Sequence, residues 1–276
     1  MAERALSRTE VVLRQQERQK YLFGVQVIVW WIIILGLLLF VFSGYTISLG
    51  PITIKTIQLD TEFMKTWAPY ISKGVPITIL IAIISIFVAS ILALLSALAR
   101  LSGIPPLVAV SGFYVSLIRG TPLYLQIFFF FLALPQIGIR LSGPVAGILA
   151  LSLNYGAYMS EIFRAGIESV SKGQREAAIA LGMTNGQTMR RVVLPQALRL
   201  VVPPTGNEFI AMLKDSALVS ATGFVQEIMW RSVKVGRANF RGLEALVIAA
   251  MWYWLMTIIF TALQSRLERY MSRGER

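Results

Sequence analysis

The chain has 276 residues, of which 56% are hydrophobic and only 14% are charged. Soluble domains carry about 25% charged residues, so this composition and the long apolar runs indicate an all-α membrane protein. The formal net charge of +12 fits Lys and Arg collected in cytoplasmic loops better than it fits nucleic-acid binding, which we do not expect. The chain contains no cysteine and no histidine, which excludes disulfides, thiolate chemistry, and histidine as a metal ligand or general base.

The first 43 residues combine a basic tail with a long apolar run. Residues 1–20 are polar and basic, and the run at 21–43 is too long for the apolar part of a signal peptide. We predict that this run is a first transmembrane helix, because it spans about 30 Å when helical. The basic residues ahead of it, which predict a cytoplasmic N-terminus, are Arg4, Arg8, Arg14, Arg18 and Lys20. Residues 44–74 are then predicted to be external, and the alternation at 52–59 fits a short strand or hairpin.

Five more apolar runs follow, which makes six predicted transmembrane helices in total. They lie at about 75–98, 107–133, 144–166, 196–218 and 243–264. The motif Arg-Gly-Thr-Pro at 119–122 interrupts the second of these runs. The fourth carries Pro203, Pro204 and Gly206, which we expect to loosen or break the helix at mid-membrane.

The polar stretch at 168–195 interrupts the apolar pattern. With the N-terminus inside, six spans place this stretch and the tail at 265–276 in the cytoplasm, and both are basic, as the positive-inside rule requires. Gly182 at its middle predicts a left-handed turn between two short helices, and Pro195 is expected to end the second helix. Each helix opens with a hydroxyl residue followed three positions later by glutamine, a capping box, at Ser171 with Gln174 and at Thr184 with Gln187.

The first of these two helices has little apolar bulk of its own. Its small residues are Ala177, Ala178 and Ala180, which lie beside Leu181, and Glu176 suits the positive end of the helix dipole. Small side chains allow another backbone or a groove to approach closely. The residues alone leave two interpretations equally open: docking to a partner, or packing against the same chain.

Several segments resemble one family of transport proteins. The EAA motif of binding-protein-dependent ABC importers is matched by Glu176-Ala177-Ala178, Gly182 and Val192-Val193-Leu194-Pro195. The segments 119–131, 151–183 and 213–223 resemble the permease branch that imports polar amino acids. The resemblance covers about 75–264, the five-helix core of the type I importer fold. The helix at 21–43 and the external segment at 44–74 precede that core and depart from the usual pattern.

The resemblance implies a permease subunit in a bacterial inner membrane, with both termini cytoplasmic. It implies a cytoplasmic ABC ATPase dimer, a second permease chain that is identical or homologous, an external substrate-binding protein and an amino-acid substrate. The residues expected to couple to the ATPase are Glu176, Ala177, Ala178, Leu181 and Gly182. The chain has no GxxxxGK[ST] motif, so ATP is expected on the partner, and neither a cofactor nor a metal is expected here.

Glu208 is the first candidate for contact with substrate. It lies about a dozen residues into its predicted span, next to Asn207 and after the Pro-Pro-Thr-Gly sequence. A charged carboxylate in the bilayer has a high free-energy cost, and pairing with the ammonium group of an amino-acid substrate would offset that cost. The alternative is an ion pair with a cation of the same protein, such as Arg119.

Arg119 and Asn154 are the other two candidates. The guanidinium of Arg119 matches a substrate carboxylate, although a structural ion pair fits at least as well. Asn154 lies near the middle of its span, where it could bond a ligand or, as we slightly favour, a neighbouring helix. Glu161 and Arg164 are three residues apart and are predicted to form a local pair rather than a site.

Two other classes of function compete with the importer. A stand-alone secondary transporter or channel could use Glu208 and Arg119 as an ion relay, but it would show an inverted repeat and would not need the cytoplasmic stretch. An intramembrane enzyme would have to work with Asp, Glu or Ser, and no carboxylate pair has a convincing spacing. We therefore expect no catalytic residue.

Overall fold

A computed structural model describes the backbone of residues 8–49 and 52–272, with side chains for 16–48 and 53–271. The ends of both predicted tails, 1–7 and 273–276, lie outside the described residues. The chain divides into two units, the first ending at Thr61 and the second beginning at Glu62. Both are mostly helical, as the composition predicts.

The first unit consists of a long helix and a hairpin. Helix α1 (Arg8–Val41) is one continuous helix, so it begins well before the predicted start at 21. Strands β1 (Thr46–Leu49) and β2 (Ile52–Lys55) are antiparallel, with Thr46 opposite Lys55. The hairpin confirms the predicted short β-element, but it begins at Thr46 rather than at 52. Residues Thr46–Leu49 have the same two-residue alternation as the strand after them, and they form the first strand. This hairpin also makes the all-α class incomplete.

The second unit begins with two helices at the external segment and the first core span. Helix α2 (Thr61–Ser72) was not predicted, and α3 (Val75–Leu101) covers the predicted run at 75–98. Next come α4 (Pro105–Arg119) and α5 (Leu123–Phe128), which continue into a π-helical turn at Phe129–Ala133 and a 3-10 turn at Leu134–Ile137.

Of the remaining helices, the three long ones correspond to the predicted runs. They are α6 (Gly143–Glu168), α7 (Lys172–Ala180), α8 (Asn185–Thr188), a π-helical turn at Met189–Val193, α9 (Leu194–Asp215), a 3-10 segment at Ser216–Thr222, α10 (Ile228–Ala238) and α11 (Gly242–Ser272). Helix α10 was not predicted. It lies in the polar stretch before the last apolar run.

The core is built around α6, which packs along α3 and also contacts α4, α5 and α9. Small residues allow this close packing. A Cβ added to Gly147 would lie 2.1 Å from Cγ1 of Val219, and one added to Gly156 would lie 2.7 Å from Oη of Tyr114. Helices in membranes associate by such close packing, because lipid gives no hydrophobic force between them.

The count of six spans remains a prediction. Among the described residues, three helical stretches are long and apolar enough to cross a membrane: Gln16–Val41, Thr61–Leu101 and Gly242–Met271. A fourth would be the pair α4 and α5, which is bent by 105° at the break. Helices α6 and α9 do not meet this combined test of length and hydropathy, since they carry several polar and charged residues.

The predicted effects of the prolines are wrong. Helix α9 continues through Pro203 and Pro204 without a break. Pro195 does not end the second helix of the pair either, because the chain stays helical through the π-helical turn at Met189–Val193 and directly into α9. Residues 185–215 are consequently helical throughout, with one π-helical turn at 189–193.

Candidate functional site

A polar cavity of about 620 Å³ lies where the break between α4 and α5 meets α6 and α9. Its lining residues are Arg119, Gly120, Thr121, Pro122, Leu123, Asn154, Tyr155, Tyr158, Glu208 and Asp215. Three of the four predicted substrate residues, Arg119, Asn154 and Glu208, therefore line one cavity. The fourth, Asn207, is not among the lining residues.

A buried glutamine holds the helix break that forms one wall of the cavity. The Nε2 of Gln126 donates to the carbonyl oxygens of Ile118 at 2.8 Å and Thr121 at 3.1 Å, and to Thr121 Oγ1 at 2.9 Å. Its Oε1 accepts a hydrogen bond from Asn154 Nδ2 at 3.1 Å. Asn154 thus bonds a neighbouring helix, as we favoured, and its amide also fixes the break beside Arg119.

Two carboxylates and one guanidinium give the cavity its charge. Glu208 and Asp215 are seven residues apart on α9, which puts them on one face about 10 Å apart along the axis. Asp215 Oδ2 accepts a hydrogen bond from Tyr155 Oη at 2.8 Å. The Arg119 guanidinium lies over the Tyr158 ring, 5.0 Å from its centroid. In the part of the chain that the structure describes, no ion pair within 4.0 Å joins Glu208 to Arg119.

Asn207 faces a different neighbour. Gln264 of α11 donates from Nε2 to Asn207 Oδ1 at 3.0 Å, to the Pro203 carbonyl at 3.1 Å and to Glu268 Oε1 at 2.9 Å. This cluster joins α9 to α11. Asn207 therefore has a helix-packing role in the structure, whereas the adjacent Glu208 lines the cavity.

The turn between α7 and α8 forms as the sequence predicts. Gly182 has φ +82°, its N–H donates to the Ile179 carbonyl at 2.9 Å, and the Met183 N–H donates to the Ala178 carbonyl at 3.1 Å. This pair of bonds is the Schellman motif, in which glycine is favoured because the left-handed conformation is costly for other residues.

One of the two predicted capping boxes is present. Thr184 Oγ1 accepts from the Gln187 N–H at 3.3 Å, and Gln187 Oε1 accepts from the Thr184 N–H at 2.9 Å. The box at Ser171 is wrong, because its side chain makes no cap bond, and the Gln174 N–H donates to the Ser171 carbonyl instead. The following residue, Arg175, donates to the carbonyl of Ile167 and so ties α7 to the last turn of α6.

The helix pair presents most of its predicted coupling residues to the outside. Leu181 is 80% exposed, and Glu176, Ala177 and Gly182 are exposed as well. Ala178 is 3% exposed and faces the chain itself. The pair is held by the buried side chains of Ala178 and Thr188 and by the bond from Arg175 to Ile167, while the large side chain of Leu181 is left uncovered.

Comparison with known proteins decides the family. The sequence profile described as "Binding-protein-dependent transport system inner membrane component" matches residues 105–273, which include the whole cavity lining and the helix pair. The chain belongs to this family.

Its relatives are amino-acid permeases. The arginine transport system permease protein ArtQ of Bacillus subtilis is 38% identical over 79% of this chain and 100% of its own length. The L-cystine transport system permease protein TcyB of the same organism is 42% identical over 82% of this chain and 97% of its own length. The glutamine transport system permease protein GlnP of Escherichia coli K12 is 33% identical over 78% and 98%.

Solved structures show the same fold. A chain from the crystal structure of an amino acid ABC transporter with histidines covers 78% of this permease at 37% identity, with a TM-score of 0.72. A chain of the MetNI methionine ABC transporter in an inward-facing conformation shares the fold at 19% identity, with a TM-score of 0.59. The chain is therefore a permease subunit of an amino-acid ABC importer, and it is a membrane protein with several apolar helices.

An ion network joins two helices of the permease near the helix pair. Glu161 accepts from Arg164 Nη2 at 2.7 Å, which confirms the predicted local pair, and also from Arg100 Nη1 at 2.7 Å. Arg164 Nη1 also bonds Glu168 Oε2 at 2.7 Å. Arg100 lies at the end of α3, so the network fixes α3 to the end of α6 that leads into α7.

Sequence reasoning missed several polar residues of the cavity region of the permease, and Asp215 is one of them. Gln126 lies next to a run of aromatic residues and was not considered as a functional residue. A single amide side chain within an apolar run could have indicated a buried polar contact. Tyr155 and Tyr158 were read only as part of an apolar run. Their contacts with Asp215 and Arg119 join residues far apart in the sequence, and no local pattern reports such contacts.

Proposed function

We propose that this permease forms the translocation path of an ATP-driven importer of polar or basic amino acids. The complex would contain a second permease chain, identical or homologous, a cytoplasmic ABC ATPase dimer and an external substrate-binding protein, within membrane lipid. The chain itself supplies no catalytic group and no cofactor, and ATP is bound by the ATPase. The observation that carries this proposal is the single cavity lined by one guanidinium and two carboxylates.

The charges of the cavity match the two ends of an amino acid. Arg119 is exposed at the rim and can bind the substrate carboxylate through paired N–H donors. Glu208 is half-buried and can accept from the ammonium group, which compensates for the cost of a carboxylate in the bundle. The second carboxylate, Asp215, is held by Tyr155 and favours substrates that carry an additional cation. Relatives named for arginine, glutamine and L-cystine transport support this class.

The helix pair α7 and α8 is proposed to couple the ATPase to the cavity. Its exposed Leu181 and Glu176 offer a surface for a cytoplasmic groove. The helical path from Asn185 to Asp215 is unbroken, so a displacement of the pair is transmitted along α9 to Glu208, about 21 Å from the start of that helix. Both termini are cytoplasmic in this orientation, as the positive-inside rule predicts.

Uptake by proteoliposomes tests the proposal. Vesicles are prepared with the permease alone or with its ATPase and binding protein, and radiolabelled arginine, glutamine and L-cystine are offered in turn. We expect uptake only when ATPase, ATP and binding protein are all present, with no effect of ionophores. Uptake by the permease alone would contradict the proposal and support a stand-alone transporter.

Substitutions in the helix pair test the coupling. Gly182→Pro cannot adopt the observed φ of +82°, and Glu176→Lys reverses a charge on the exposed face. We expect both to leave ATP hydrolysis without transport. Gly186→Ala is the matched control, because a Cβ there meets no atom within 4 Å and the backbone is ordinary. Normal uptake by both test variants would refute the coupling role.

Glu208→Gln tests the cavity separately. Glutamine keeps the size and the hydrogen-bonding oxygen but removes the charge, so we expect the half-saturating substrate concentration to rise while the complex still assembles and hydrolyses ATP. Glu168→Gln, on α6 near the helix pair, is the control, since its carboxylate bonds Arg164 and does not line the cavity. An unchanged substrate dependence of uptake in Glu208→Gln would remove Glu208 from the site.

A further inference from the structure

Helix α10 lies at the opposite end of the bundle from the helix pair. Helix α9 starts next to the pair and runs about 33 Å before α10 follows its far end. The first residues of α10 pack on the start of α3, since a Cβ added to Gly74 would lie 2.5 Å from the Ile228 nitrogen. With the pair in the cytoplasm, α10 is external, and the inference below rests on that part of the proposed function.

This external end is unusually basic. The cations of α10 and the turn after it are Arg231, Lys234, Arg237 and Arg241. Arg241 pairs with the buried Glu244 at 3.4 Å, and the other neighbouring acid, Glu227, is fully buried and caps α10. External segments of membrane proteins are normally poor in Lys and Arg, so membrane insertion gives no reason for this cluster.

Two of these cations line a cavity of about 630 Å³ between α10, α5 and the 3-10 segment, which we call the cationic socket. Its lining residues are Tyr124, Ser220, Ala221, Gly223, Trp230, Val233, Lys234 and Arg237. Lys234 Nζ lies 4.8 Å above the Trp230 ring, and Trp230 Nε1 donates to the Gly223 carbonyl at 2.8 Å. Among the described residues, no carboxylate lies within 4.0 Å of Lys234 or Arg237.

The socket is rigidly held. Glu227 caps α10 by accepting from the Met229 N–H at 2.8 Å and the Trp230 N–H at 2.6 Å. The same carboxylate accepts from Tyr253 Oη of α11 at 2.6 Å. Because α10 is fixed in this way, its backbone does not have to reorganise when Lys234 and Arg237 bind, which favours affinity.

Phe240 follows the socket residue Arg237 by three positions and lines an adjacent cavity together with Val233 and Arg237. It is 96% exposed and has φ +55°, a conformation that bulky residues rarely adopt. Its N–H donates to Arg237 and the Arg241 N–H donates to Gly236, so it occupies the position where glycine usually ends a helix. An exposed aromatic side chain next to an arginine is the composition of a protein interface.

We propose that the cationic socket, with Phe240 at its edge, receives an acidic side chain from the external binding protein. The family depends on a binding protein, which has to dock at the external end. Lys234 and Arg237 supply charge-assisted donors for a carboxylate, and Phe240 supplies apolar contact next to them. The charge also steers the docking encounter, so the interaction weakens with salt.

Affinity measurements on nanodiscs that carry the complete complex test this inference. The probe is the binding protein that stimulates the wild-type complex. We expect the double substitution Lys234→Glu with Arg237→Glu to weaken its binding at low salt about tenfold or more, mainly through slower association, with basal ATP hydrolysis unchanged. Arg140→Glu is the matched control, because Arg140 is exposed in the loop before α6 at the same end, and its affinity should stay within about twofold of wild type.

Lipid and a second permease copy are the competing occupants. The measurements are repeated in nanodiscs of phosphatidylcholine alone and with phosphatidylglycerol, and a loss of affinity seen only with the anionic lipid would overturn the inference. Replacing Phe240 by photoreactive p-benzoylphenylalanine should give crosslinks to the binding protein, whereas crosslinks only to lipid or to another permease chain would overturn it. A wild-type complex that ignores the binding protein would instead refute the proposed function.

Discussion

The buried Glu227 carboxylate anchors α10, and its removal gives a strong test of the fold at this end of the bundle. Glu227 is fully buried and accepts three hydrogen bonds, two from backbone N–H groups of α10 and one from Tyr253 of α11. Glu227→Ala removes all three at once. It ends both the capping of α10 and the contact of its first turn with α11.

The cost of Glu227→Ala follows from these bonds. Loss of a helix N-cap costs about 1 kcal/mol, and leaving the part-buried Tyr253 hydroxyl without an acceptor costs about 1–3 kcal/mol. The sum is about 2–4 kcal/mol, which lowers the melting temperature of a unit of this size by about 4–16 °C. Tyr253→Phe removes only the third bond and should cost about 1–2 kcal/mol. The double substitution should cost less than the sum of the two, because both remove the same bond.

Thermal unfolding of the purified permease in detergent, followed by tryptophan fluorescence, measures these effects. Glu62→Ala is the matched control, since among the described residues this exposed carboxylate pairs only with the exposed Lys65, at 2.9 Å, and such pairs contribute about 0.5 kcal/mol. The reasoning would be refuted by a melting temperature of Glu227→Ala within the range of this control. Strict additivity of the two substitutions would refute the coupling to Tyr253.

Three further predictions concern pH, backbone strain and the ion network. Burial raises the pKa of Glu227, so the folded chain binds the proton of this carboxyl group more tightly than the unfolded chain does. The contribution of Glu227 to stability therefore falls as pH rises from about 4.3, the pKa in the unfolded chain, towards the raised pKa in the folded chain. Glu227→Gln should flatten that part of the plot of melting temperature against pH. Phe240→Gly relieves a left-handed conformation, so it should stabilise the permease by about 0.5–1 kcal/mol while weakening its response to the binding protein; a lower melting temperature would contradict this. Glu161→Gln weakens bonds from Arg100 and Arg164 and should cost about 1–2 kcal/mol in thermal unfolding, and a wild-type melting curve would show that the network adds nothing.

Local signals in the sequence predicted the breaks that glycine controls. Gly182 ends α7 in a left-handed conformation, and the break at 119–122 between α4 and α5 follows from a glycine and a proline within three residues. Both depend on the backbone preferences of single residues, which do not require knowledge of the rest of the fold. The 105° angle at the second break could not be predicted, because it depends on the bonds that Gln126 makes across it.

The two prolines led to a wrong prediction of a break in α9. The packing of neighbouring helices determines which of the adjacent residues Asn207 and Glu208 lines the cavity. Proline removes only its own N–H donor, so Pro203 and Pro204 free the carbonyl groups of Arg199 and Leu200 in the first two turns of α9, and a helix tolerates such losses where other groups satisfy the freed carbonyls. Asn207 and Glu208 are consecutive and so point about 100° apart on the helix. Which of them faces the cavity depends on where α6 and α11 pack, and no pattern within α9 contains that information.

The continuity of α9 has a mechanical consequence for the proposed cycle. One helical path, 185–215, begins at the turn proposed to meet the ATPase, passes Glu208 in the cavity, and ends at Asp215, next to the 3-10 segment that lines the cationic socket. In the proposed complex, force from the ATPase and force from the binding protein would therefore act on the same helical path. A broken helix, which Pro203 and Pro204 led us to expect, would have absorbed part of either displacement at mid-membrane. An unbroken one makes the position of Glu208 depend on both partners together, which is what coupling of substrate release to ATP hydrolysis requires.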